Sequence, residues 1–235
     1  MGNTNSIETV EIENDRYNWI PSYIRYNQDT IKYDEKEEDE EKSYIDLRPE
    51  LNLQFSDNIS GMKNVNDGNL TIISLCVYLN SLLLKSEKLK PFIVSYEYIY
   101  HYYIGNKTYE ESISYVILLE LIKRVGFISS AEYIHNNEGN IREEIYKIAK
   151  NYRHIIYKKV DNDIRLIKRL LNKSVNILIG LPVYKNFESN IVINGEINLP
   201  KESDDIIGGL SGIICGYIEK RKMLIVFVGI SKKCG

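Results

Sequence analysis

The sequence predicts an α+β protein, with a helical half over about residues 65–154 and an antiparallel, strand-rich half over about 155–235. Three observations predict it. Apolar residues recur at spacings of three and four through the first half. Continuous apolar runs of strand length dominate the second. The last two of these runs flank a short charged turn and so should pair as a hairpin. Two such halves packed together leave a cleft between them. A chain of 235 residues is long enough to bury the core this layout needs.

In order, residues 1–16 read as a flexible N-terminus. The opening MGNTNS matches the N-myristoylation pattern, with Gly2 as the acceptor and Ser6 at the preferred position; a plain flexible terminus is the other reading. A single myristoyl chain gives only marginal membrane binding, with K of about 10⁴ per molar. Residues 17–43 form an extension. Its part from Tyr17 to Tyr33 holds the only tryptophan and a proline, and reads as an extended segment laying aromatics onto a body elsewhere. Asp34 to Lys42, DEKEEDEEK, reads as a solvated acidic linker, or as a segment for a basic partner. At Tyr44 the composition turns globular, so residues 44–235 form the domain.

Asp67, Gly68 and Asn69 are turn formers. Behind them Ile72, Ile73, Leu75, Cys76, Leu79, Leu82 and Leu83 mark a buried helix running to Leu84. Ile73 lies at its first turn, where unpaired N–H groups and the helix dipole favour a negative charge. Many enzymes place a thiolate there; an isoleucine has no such chemistry. A short helix is expected within Pro91 to Tyr103, with Ser95 as N-cap. Thr108 and Glu111 form a capping-box pair that predicts a helix from Tyr109 to Arg124, stopped at Gly126. Ile141 to Tyr152 is amphipathic and helical. The character then changes: a strand over Ile155 to Val160, a helix within Asp161 to Asn172, and a buried strand over Val175 to Tyr184. Asn194-Gly195 signals a turn. Gly208 to Tyr217 and Met223 to Ile230 make the hairpin, joined through Ile218 to Lys222.

The composition removes several function classes. A net charge of −3 gives no electrostatic case for nucleic-acid binding. No apolar run reaches the roughly 20 residues of a membrane span, and the start is too polar for a secretory signal. The three cysteines, Cys76, Cys215 and Cys234, have no metal-ligand spacing and are too few and too odd for a disulfide framework. No metal or cofactor is expected, and a reducing compartment fits.

With these segments in order, the chain resembles the papain family of cysteine proteases, in the cathepsin-like branch of bacteria and large DNA viruses. Tyr44 to Pro49, YIDLRP, looks like the mature start of such enzymes. Val65 to Asn69, with the helix after it, occupies the slot of a DQGxxGSC motif. Phe92 to Tyr103 is similar to their FIPSxxFIYY segment. Thr108 to Gly126 resembles their next helix, and Ile167 to Phe187, ending LPVYKNF, resembles a P-V-x-x-G-x-x-V-Y-x-x-F stretch. Gly208 to Tyr217 is similar to GGHAVxxVGY, Leu224 to Gly235 to the N-S-W-G end, and YNWIP to a segment preceding the domain. The resemblance implies a papain-like fold with a helical left half, a β-rich right half and a peptide-binding cleft.

It also implies where the catalytic residues belong. The nucleophilic cysteine falls on Ile73, the general-base histidine on Leu210, the orienting asparagine on Val228 and the oxyanion-hole glutamine on Asp67. All four are substituted. The mechanism needs a thiolate, an imidazole, a group that holds the ring and donors for the oxyanion. On this reading the catalytic set is empty and the chain is expected to be a non-enzyme, a pseudoprotease acting as a binding or structural component. Its partner would be a protein or peptide, with a membrane reached through Gly2. Its place would be a virion or the host-cell cytoplasm, and it would not be secreted. Two alternatives stand beside it: an active peptidase with a relocated nucleophile, Cys76 first or Cys234, and a regulator or decoy of a related protease. The histidines His101, His135 and His154 all fall in the helical half, where the resemblance does not place the base.

Overall fold

The computed structural model of the chain describes residues 30–37, 42–51, 70–104, 113–133, 143–185, 187, 195–197, 199–201 and 203–228. Among them, five α-helices and six strands follow one another: β1 (Thr30–Ile31), β2 (Tyr44–Asp46), α1 (Leu70–Lys85), α2 (Tyr96–Ile104), α3 (Tyr115–Val125), α4 (Glu143–Ala149), β3 (Lys159–Val160), α5 (Ile164–Asn172), β4 (Ile177–Tyr184), β5 (Ile206–Ile218) and β6 (Met223–Phe227). The α+β class with segregated helices and antiparallel sheet is therefore the observed one.

Helix α1 is the axis of the helical half. The 3–4 spacing predicts a buried face; the helix is in fact buried on nearly every side from Leu70 to Val77 and again at Leu79, Asn80, Ser81 and Leu83. Some of its polar residues tie it to neighbouring segments. Asn80 Oδ1 accepts the Val94 N–H at 2.8 Å, tying α1 to the segment that leads into α2. Ser95 caps that next helix, its Oγ accepting the Tyr98 N–H at 3.2 Å.

Helix α3 starts later than the capping-box pair predicts. Ser114 is extended and caps it, with Oγ accepting the Val116 N–H at 3.3 Å; Thr108 and Glu111 lie outside the described residues. Gly126 ends it as expected, at φ +78°. Helix α4 covers less than the expected span, because its last turn tightens into a 3₁₀ helix at Lys150–Tyr152. The strand expected over Ile155 to Val160 shrinks to β3, since only Lys159 and Val160 find a ladder partner, in β1.

The sheet is organised by β5. Its first part pairs antiparallel with β4, from Ile177 opposite Ile214 to Tyr184 opposite Ile206. Its last part pairs on the same edge with β2, from Tyr44 opposite Ile218 to Asp46 opposite Gly216. Strand β6 takes the other edge and completes the expected hairpin. Gly216 is required here: a Cβ on it would lie 2.2 Å from the Ile45 carbonyl oxygen. Helix α1 packs against β5, so the two halves share one continuous apolar core.

Candidate functional site

Ile73 lies in the first turn of α1 and is buried. Leu210 lies in β5, opposite Leu181 of β4, and is 1% exposed. Val228 follows β6 and is half-buried. A Cβ built on Gly212 would meet Val228 Cγ2 at 3.5 Å and the Phe227 carbonyl oxygen at 2.7 Å. Gly212 is two residues from Leu210, hence on the same face of the strand. Val228 thus faces Gly212 across the hairpin, and Leu210 is the next residue of β5 on that face. Asp67 and Gly2 lie outside the described residues, as do His135, Ile230 and Cys234.

Tyr115 joins α1 to this face, and the sequence reading missed it. It comes from the start of α3 and its hydroxyl donates to the Gly212 carbonyl at 3.1 Å. Ser74, the residue after Ile73, and Ser211, the residue after Leu210, approach the same hydroxyl closely enough to moderate its pKa. Neither serine Oγ makes a hydrogen bond of good geometry. Burial is the larger effect and pushes the Tyr115 phenol well above its ordinary value. Three hydroxyls from three elements therefore meet one residue away from Ile73 and Leu210. The only sequence signal for this was a pair of serines beside the family positions, and serine at those places has no distinctive pattern.

The other candidate groups do not assemble. Cys76 is fully buried one turn further along α1, and burial drives its thiol well above the ordinary range, with the Glu97 charge adding to the effect. Cys215 is also buried; its thiol is pushed up to about 11 and its Sγ contacts the Ile225 carbonyl at 3.5 Å. His101 sits in α2 with its ring against Tyr102, and His154 is exposed. Among the described residues no group of His, Cys, Asp and Glu is arranged to hold a metal ion, and no helix is long and apolar enough to cross a membrane.

The architecture has solved counterparts. Xylellain, a cysteine protease from Xylella fastidiosa, superposes with a TM-score of 0.69 at 18% sequence identity, covering 92% of this chain and 85% of that one. The fold is papain-like. Procathepsin B S9 from Trypanosoma congolense is a second match, with a TM-score of 0.55 at 10% identity over 90% of this chain and 75% of that one. No family model matches the chain, and no curated protein matches it in sequence. These neighbours correct one expectation. The chain was expected to be a non-enzyme, but the solved structures that share this papain-like fold carry the names of a cysteine protease and a cathepsin.

Proposed function

We propose that this papain-like protein engages an extended protein segment at the junction of its two halves. The packing of α1, which carries Ile73, on β5, which carries Leu210, with Val228 against the same core, carries the reading. Ile73 and Leu210 are already buried, so the half-buried Val228 supplies the surface there; it favours a peptide with apolar side chains, at roughly 25 cal/mol for each Å² of apolar surface removed from water. Fluorescence anisotropy with a set of extended apolar peptides tests it. Binding in the micromolar range is expected, weakened about tenfold by Val228→Arg, which places a charge beside Gly212. Wild-type protein that binds none of the peptides overturns it.

The names of the structural neighbours favour a second reading, peptide hydrolysis. The same peptides carrying a quenched fluorophore distinguish the two. Cleavage that stops when the protein is alkylated under native conditions supports a cysteine peptidase. The burial of Cys76 and Cys215 makes Cys234 the first thiol to substitute in that event. Binding without cleavage favours the first reading.

A further inference from the structure

Residues 30–37 are fastened to the strand half by a short ladder, cation–π contacts and charged hydrogen bonds. Thr30 and Ile31 pair in parallel with Lys159 and Val160, and the Asp161 N–H donates to the Ile31 carbonyl at 3.0 Å. The Tyr33 ring then lies against two guanidinium groups of α5, with Arg165 at 4.3 Å and Arg169 at 4.0 Å from its centroid. Beyond it the chain turns, the Glu37 N–H donating to the Asp34 carbonyl at 3.3 Å. Arg169 enters that turn. Its Nη1 donates to the Asp34 carbonyl at 2.8 Å and to Glu37 Oε2 at 3.3 Å, and its Nη2 to the Glu37 carbonyl at 3.1 Å. Lys173 Nζ lies 3.2 Å from the same Glu37 oxygen.

Two facts make this more than a surface ion pair. Arg169 is only 5% exposed, and a guanidinium taken out of water is unfavourable unless its donors are matched. Three oxygens of the arm match them. The arm itself is the weakly held partner. Its ladder is two residues long, and Asp34 to Glu37 are exposed. From Tyr44 onward the chain is instead built into the main sheet through β2. A segment with little apolar burial and a short ladder opens before the body it lies on.

We propose that Thr30–Glu37 is a releasable strap, and that Arg169 is the group that seats it by reading the turn Tyr33-Asp34-Glu35-Lys36-Glu37 as a ligand. The start of the acidic run is thereby a tether within the chain. The sequence reads this stretch as a solvated linker, and Asp34 to Glu37 are exposed while also offering oxygens to Arg169; Glu38 to Glu41 lie outside the described residues. Strap and basic helix are matched in charge, since Arg165, Lys168, Arg169 and Lys173 all lie on α5 or directly after it. A peptide with the same aromatic-acidic turn competes for the seat once the strap lifts.

Hydrogen exchange on the full chain, read by mass spectrometry, tests this. Glu37→Gln and Tyr33→Leu change only the arm and leave the core residues in place. Each should speed exchange over residues 30–37 about tenfold, with Arg169→Met faster still and exchange over residues 206–218 unchanged. If Arg169→Met does not fold, the two arm variants carry the test. Exchange over 30–37 within about twofold of wild type in both arm variants overturns the proposal. So does faster exchange spread equally over 206–218, which would make the arm part of the core.

Discussion

Helix α1 and the segment 42–48 both reach strand β5, and they are held there by different physics. Helix α1 meets it through aliphatic side chains, among them Leu75, Cys76 and Leu79, with Leu210, Ile213 and Ile214 in the same core. The 42–48 segment adds polar and charged contacts to the short β2 ladder. Tyr217 donates to the Lys42 carbonyl at 2.8 Å and the Glu219 N–H to the Ser43 carbonyl at 2.9 Å, while within the segment Asp46 takes the Arg48 guanidinium at 2.5 to 3.0 Å. The lesson concerns which perturbation each region feels. A close-packed apolar contact responds to volume and hardly to salt or pH. A set of partly exposed charges responds to salt and pH and tolerates changes of shape.

The largest effect should come from violating shape. Gly126 ends α3 at φ +78°, and a Cβ on it would lie 1.8 Å from the Ala149 carbonyl oxygen. Neither the dihedral nor the contact can relax without moving the end of α4. Gly126→Ala is expected to cost about 4 kcal/mol or more, combining backbone strain with overpacking. A urea titration measures it, and a cost under about 1 kcal/mol would mean that the two helix ends are loosely joined.

Next comes volume at the centre of α1. Leu75 is fully buried, so Leu75→Ala should cost about 3 kcal/mol through lost burial and the cavity left behind. The cost should be the same in low and high salt. A marked salt dependence would show that charged groups share in holding α1, and would blur the contrast with the 42–48 segment.

Much of this contrast could be read in the sequence, and part could not. The apolar spacing from Ile72 to Leu83 and the runs around Leu210 and Leu224 locate α1 and the hairpin, because burial leaves a periodic signature. The fold class and the papain-like likeness follow from those elements in order. Arg169 had no such signature. On a helix of alternating basic and apolar residues it reads as one more solvated cation, and only the tertiary structure reveals the turn that buries it. Tyr115 was hidden for a similar reason. Its partners lie on α1 and β5, and no spacing along the chain announces a hydroxyl that links them. The start of α3 was misplaced because two serine- or threonine-type caps compete within a few residues, and the nearer one, Ser114, holds the helix.

The smallest effect is the one that separates the regions by pH. Asp46 accepts from the Arg48 backbone N–H at 3.0 Å, from its guanidinium and from the Tyr44 hydroxyl at 3.0 Å. The Arg48 hydrogen bonds are the main cause that holds the carboxyl down at about 2. The ordinary carboxylate value is about 3.9, so the folded protein binds the proton less readily than the unfolded chain. The contribution of Asp46 is therefore complete above pH ~4 and is lost as the pH falls through about 2. Asp46→Asn should destabilise the protein by about 1 kcal/mol at neutral pH, the scale of a partly exposed hydrogen-bonded charge. The gap between variant and wild type should narrow steadily below pH ~4 and nearly close by pH ~2. Leu75→Ala, measured alongside, should keep its deficit across the same range, because no titrating group is removed. A gap for Asp46→Asn that stays constant down to pH ~2 would mean that β2 is held by its ladder to β5 and not by the charge at its end.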